Sequence, residues 1–140
     1  MTILLLLISF TTIGEDPPAQ PSPISFHKQV RPILQRHCIG CHQPSKRGGE
    51  LLLTSHAQLV KGGETGTSLV AGKPDESLLV KSLLAQDMDL MPKGGPALPT
   101  ETIDLFKRWI EQGAVDDTPP ESLDTIDADH PPIYEGMPLV

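Results

Sequence analysis

The stretch 35-QRHCIGCHQP-44 holds both cysteines of the 140-residue chain, two residues apart, with a histidine directly after the second. Its reading decides the fold, because Cys38-Ile39-Gly40-Cys41-His42 could serve a disulfide, a metal ion or a porphyrin, and each needs a different scaffold. A thioredoxin-like Cys-x-x-Cys requires strands alternating with helices, and the surrounding pattern shows no such alternation. A structural zinc site needs four ligands. After Cys38, Cys41 and His42 the only nearby fourth is His56, and adjacent ligands at 41 and 42 match no usual zinc spacing. The third option satisfies the geometry. Two thiols on one turn of backbone reach the vinyl edge of one haem and form thioethers, and the next residue points its imidazole at the iron. Cys38 and Cys41 are then covalent anchors and His42 is the proximal axial ligand, with Gly40 leaving room for the ring. The motif is the only cysteine pair, follows a helix and lies downstream of an export signal, which is the context such a motif requires.

Composition points the same way. Length favours one domain, and fifteen prolines, twelve glycines and 4% aromatic residues leave little bulky material for its core. Small domains of this kind need an added staple, and a covalent tether suits a core too poor in aromatics to hold a free porphyrin. The formal charge is -7, and the eleven basic residues are scattered among eighteen acidic ones. That excludes a nucleic-acid partner, which would require clustered Lys and Arg, and favours a basic or neutral protein partner.

The apolar run Ile3 to Phe10 has the length of a secretory h-region, and residues 1–14 read as a secretory signal although no Lys or Arg precedes the run. It is too short for a stable membrane span. Residues 15–24, with four prolines in ten positions, read as an extended linker. From Ser25, a candidate N-cap, Phe26, Val30, Ile33 and Leu34 recur at helical spacing up to Cys38, with Pro32 set to kink or restart the helix. Leu51–Leu53 and Ser68–Val70 are short pieces able to pair as minor strands, and Ser55 to Val60 predicts a short helix. A second clear helix begins at Pro74 as its first residue, carries the stripe Leu78, Leu79, Leu83 and Leu84, and ends near Ala85. The strongest helix has Thr100 as N-cap, Ile103, Phe106, Trp109 and Ile110 on one face, and Gly113 as its stop. Residues 116–140 return to acidic, proline-rich sequence without periodicity.

A sixth iron ligand should approach from the opposite face of the ring. Met88, Met91, His27, His37, His56 and His130 are the candidates. Met91 leads because Pro92, Gly94, Gly95, Pro96 and Pro99 impose an irregular path able to cross a haem face. Its thioether is a soft ligand that favours ferrous iron. Met88 reads as core packing, His27 and His37 as surface or packing residues. Trp109 and Phe106 read as haem-packing aromatics, a role whose expected burial differs little from that of ordinary helix core.

On "FHKQVRPILQRHCIGCH", "GGELLL", "KGGETGTSLVAGKPDESLL" and "MPKGGPALPTETIDLFKRWIEQGA", spanning about 26 to 114, the chain resembles the planctomycete-type cytochrome c domain, a branch of the monohaem cytochrome c fold. The haem signature is shared by all c-type cytochromes; "RPIL" and "WIEQGA" are the more specific pieces. The resemblance implies the same anchors, Cys38 and Cys41, with His42 proximal and Met91 distal. Two departures stand out: Lys93 replaces a second proline after the methionine, and Lys73 stands where the family tends to have a capping acid. Members often join this module to further domains, and the tail 116–140 reads as a connector to one.

The expectation is therefore a mostly α, small monohaem cytochrome c-like fold over 25–115, with three or more helices packed around one covalent haem c and long irregular loops. It would be an exported, periplasmic or extracytoplasmic electron carrier and not an enzyme, serving a redox protein partner or a neighbouring oxidoreductase domain, without a stable membrane span. The rival reading is a haem-based sensor or catalytic site for a gas or peroxide, with an open distal position; no distal acid or base is poised for that chemistry.

Overall fold

The computed structural model describes residues 22–120. The secretory signal expected at 1–14, most of the linker at 15–24 and the tail beyond 120, including His130, lie outside the described residues. Ser25 opens the fold as its sequence suggests: its hydroxyl accepts from the Lys28 N–H at 3.0 Å. The chain then makes a wide π-helical turn, Phe26–Val30, before helix α1, Arg31–His37. Pro32 explains the division. It has no N–H to give to the carbonyl four residues back, and the wider turn before it accommodates the ring.

Helix α1 ends at Cys38, and a hairpin follows, with β1 (His42–Gln43) antiparallel to β2 (Lys46–Arg47) in the register His42 to Arg47 and Gln43 to Lys46. This small sheet is not the expected one. Leu51–Leu53 and Ser68–Val70 do not pair, because the Leu53 N–H goes to the His42 carbonyl at 2.9 Å and the Val70 N–H to the Ser77 hydroxyl at 2.9 Å. Helix α2, His56–Lys61, forms where a short helix was expected, with Ser55 as its N-cap.

The helix expected to run from Pro74 is broken in two. Pro74–Glu76 is a 3-10 turn, Ser77 is extended, and α3 covers Leu78–Leu83. The cause is local side-chain bonding that competes with the helix. Ser77 is fully buried, and its hydroxyl accepts from Val70 N–H and donates to the Lys73 carbonyl at 2.9 Å. The break also rotates the stripe: Leu79, Val80 and Leu83 are buried, whereas Leu84, expected inside, is exposed.

Helix α4, Thr100–Glu111, is the longest, and its face of Ile103, Phe106, Trp109 and Ile110 is buried as the periodicity requires. The residue in the cap position is Pro99, not Thr100: the Pro99 carbonyl receives the Thr102 and Ile103 N–H groups, while Thr100 is already helical. At the other end Gly113, at φ 99°, closes the helix. Its N–H reaches the Ile110 carbonyl and the Ala114 N–H reaches the Trp109 carbonyl, both at 2.9 Å, which is the paired bonding of a Schellman stop. Helix α4 packs on α3, on the 3-10 turn and on the π turn, so the core joins Phe26, Val30 and Leu34 to the α4 face.

Candidate haem-attachment site

Backbone hydrogen bonds hold every residue of the Cys38–His42 turn except Gly40. The Cys38 and Ile39 N–H groups bond to the Leu34 carbonyl at the end of α1, at 2.8 and 3.0 Å. Cys41 and His42 N–H groups turn back onto the Cys38 carbonyl, each at 3.1 Å. The Cys41 carbonyl then accepts from Gly48 at 3.1 Å and the His42 carbonyl from Leu53. The two cysteines thus stand on one turn, held by α1 on one side and the hairpin on the other.

The two sulfurs differ. Cys41 is exposed; Cys38 is partly buried against the core. Both are free thiols, with no disulfide between them. Burial pushes the Cys38 thiol up to about 11, so it stays protonated at neutral pH. A protonated thiol is a poor exchange nucleophile, which counts against the thiol-redox reading. No cluster of three or more His, Cys, Asp or Glu able to hold a metal ion forms among the described residues. His56, the fourth zinc ligand in that reading, is engaged elsewhere: its Nε2 donates to the Ala114 carbonyl at 2.7 Å, with its ring edge-on to Phe26 and Trp109. Its other ring nitrogen, Nδ1, lies 3.9 Å from the Asp116 carboxylate.

His42 is half-buried, and its Nδ1 is buried without a hydrogen-bond partner. The Nδ1–Cε1 edge faces Gly48, where an added Cβ would stand 3.4 Å from Cε1 and 3.6 Å from Nδ1. Nε2 is not among the atoms nearest that position. Nδ1 has no partner among the described residues, and a cation would bind at the other ring nitrogen, Nε2. Gly40 has no atom within 4 Å of the position a Cβ would take, in keeping with a ring passing close to the turn. Residues and chemistry fit a covalently held haem.

Met91 packs against the core while remaining partly exposed. Its N–H donates to the Ser82 carbonyl at the end of α3, at 2.9 Å, and the following peptide to Pro92 is cis. Lys93, the departure after this methionine, donates to Asp89 at 2.7 Å and so closes the loop across Met91 with an ion pair. Lys73, the other departure, pairs with Glu76 at 3.0 Å. Met88 is half-buried, His27 is half-buried and His37 is exposed. Phe106 and Trp109 are enclosed by the protein itself: Trp109 stacks on Phe26 at 5.5 Å and its Nε1 donates to the Val115 carbonyl at 3.1 Å.

Residues 38–95 match the planctomycete cytochrome C family. The match begins at the first cysteine and ends four residues after Met91, so it contains both cysteines, His42 and Met91. It bears out the family resemblance over that segment. The flanking pieces around "RPIL" and "WIEQGA" lie outside the matched residues. Neither a curated protein nor a solved structure matches the chain.

Two contributors escaped the sequence reading. Gly48 lies against the imidazole of His42, and the glycine pair at 48–49 was the available signal. Ser82 holds Met91 through a backbone carbonyl, a role no side-chain motif announces.

Proposed function

We propose that residues 25–115 form an exported c-type cytochrome domain that carries one covalent haem and passes single electrons between redox partners without transforming a substrate. The observation that carries this reading is the Cys38–His42 turn, held by backbone hydrogen bonds at every residue but Gly40 and lying within the segment that matches the cytochrome family. Cys38 and Cys41 would anchor the porphyrin by thioethers, His42 would bind the iron from the hairpin side and Met91 from the loop after α3. When bound, the haem supplies a reversible one-electron couple between ferric and ferrous iron.

The chain's own residues do the rest. Gly48 and Leu53 hold the proximal turn, so the imidazole is orientated before binding. Ser82 and the Lys93–Asp89 pair fix the path of the Met91 loop from its two ends. Phe106 and Trp109, enclosed by the protein, would support the site only through the core they fill. Among the described residues no helix is long and apolar enough to cross a membrane, and export rests on the apolar run at 3–10.

The intact mass of the matured protein tests the reading. It should exceed the peptide mass by one haem, with a Soret band that survives denaturation and is lost in Cys38→Ser/Cys41→Ser. Met91→Ala in the loaded protein should abolish the weak ferric iron–methionine absorption and open the reduced form to carbon monoxide. Ready carbon monoxide binding by the unsubstituted protein would instead favour the open-site sensor.

A further inference from the structure

We propose that Gly48 is a positioning residue for the axial imidazole: it closes the Nδ1 side of His42 with backbone that offers no acceptor, and so tips the iron towards its ferrous state. The proposal rests on the reading of His42 as an iron ligand, and adds what tunes that ligand.

The backbone does not explain a glycine at position 48. Its neighbour Gly49, at φ 62°, takes the left-handed conformation of this turn, and Gly48 does not. The imidazole does explain it. A Cβ on Gly48 would stand 3.4 Å from Cε1 and 3.6 Å from Nδ1 of His42, so glycine lets the chain lie directly against the ring edge. Of the two ring nitrogens, only Nδ1 is both buried and without a hydrogen-bond partner among the described residues.

The nearby carbonyls already serve other donors. Cys41 accepts from the Gly48 N–H at 3.1 Å, His42 from Leu53 at 2.9 Å, Gly48 from Leu51 at 3.3 Å and Gly49 from Glu64 at 2.9 Å. The far side of the segment is closed too. Gly63 comes so near that a Cβ on it would collide with the Gly49 carbonyl oxygen and stand 3.0 Å from the Leu51 nitrogen. Segment 48–51 is thus held between the turn at 62–66 and the His42 ring.

With Nε2 on a metal, a neutral imidazole carries its proton on Nδ1. Metal-bound histidines usually donate that N–H to a carboxylate, a carbonyl or water, which orients the ring and makes it a stronger donor. Here packing on Gly48 supplies the orientation, and the added donor strength is missing. A weaker donor stabilises ferric iron less, so the couple moves towards ferrous iron, the same direction as a thioether ligand.

Two substitutions at one position separate hydrogen bonding from packing. Gly48→Ser places a hydroxyl one bond beyond the Cβ, within reach of Nδ1 as acceptor and of the Cys41 carbonyl, 3.4 Å from that Cβ, as donor. Gly48→Ala adds the same Cβ and no acceptor. The loaded full chain is held at an electrode poised where the parent is half reduced, one electron passing between electrode and iron and no proton transferred. Gly48→Ser should then contain roughly threefold more ferric than ferrous haem, while Gly48→Ala stays near equal amounts. The same ratio in both variants overturns the proposal. Should either variant fail to fold, the parent decides alone. In its reduced, diamagnetic form the His42 Nδ1–H should resonate where an unbonded imidazole N–H does, and a downfield, hydrogen-bonded position overturns the proposal. If the chain carries no haem, the function proposed above fails, while the ring nitrogen shifts of His42 in the haem-free chain still read the enclosure. An Nδ1 free of hydrogen bonds supports it; a bonded one overturns it.

Discussion

Trp109 and Cys41 mark two regions built in opposite ways. Around Trp109 the protein completes its own contacts: the indole is 1% exposed, stacks on Phe26, meets the edge of His56 and gives its N–H to Val115. His56 in turn ties Ala114, and the Asp117 carboxylate accepts the His27 N–H at 2.8 Å, so the start and end of the domain are bound together. Around Cys41 the backbone is as firmly bonded, but the side chains are not. Both thiols are free, His42 Nδ1 has no partner, Gly40 has open space beside it, and Met91 is only partly covered. One region is closed on itself, although His27 Nδ1 there is also buried without a partner, and the other is left open.

The largest effect expected from this contrast separates the two regions in the haem-free chain. Trp109→Ala removes a fully buried aromatic and should cost about 3–5 kcal/mol in urea unfolding, close to the whole stability of a small domain. Met91→Ala should cost about 1 kcal/mol or less, while in the loaded protein it removes the proposed axial sulfur. Equal losses from the two substitutions would erase the distinction.

The sequence made much of the first region legible and less of the second. Helix α4 could be read residue by residue, because four apolar side chains at helical spacing have only one face to bury. The five-residue motif could be read because its chemistry is local. Three features depended on contacts far along the chain. The break at Ser77 comes from a hydroxyl bonded to residue 70, seven positions back. The hairpin at 42–47 replaced the expected strands because Leu53 answers His42. The place of His56 follows from Ala114, fifty-eight residues away.

A second measurement probes the ligand side through Cys38. Burial disfavours its thiolate and pushes the thiol from 9.0 to about 11 in the folded, haem-free chain. Folding therefore holds the proton that the unfolded chain releases first, and this thiol makes folded stability fall as pH rises between those values. At pH near 8, iodoacetamide should modify Cys38 about a hundredfold more slowly in the native chain than in urea, followed by peptide mapping so that Cys41 is read separately. Similar native and denatured rates would show that Cys38 is not packed as described.

The smallest effect tests where a helix begins. Thr100 has the residue type of an N-cap, and a capping threonine costs about 0.5–2 kcal/mol when replaced by alanine. In the fold the Pro99 carbonyl already receives the first helical N–H groups, and the exposed Thr100 side chain makes no capping bond. Ser25 is the counterexample, since its hydroxyl does accept the Lys28 N–H. In urea unfolding of the same haem-free chain, Ser25→Ala should therefore cost about 1 kcal/mol, while Thr100→Ala should stay within about 0.5 kcal/mol of the parent. A Thr100→Ala loss as large as that of Ser25→Ala would place the threonine hydroxyl on the helix after all, and move the start of α4 back to where its sequence first put it.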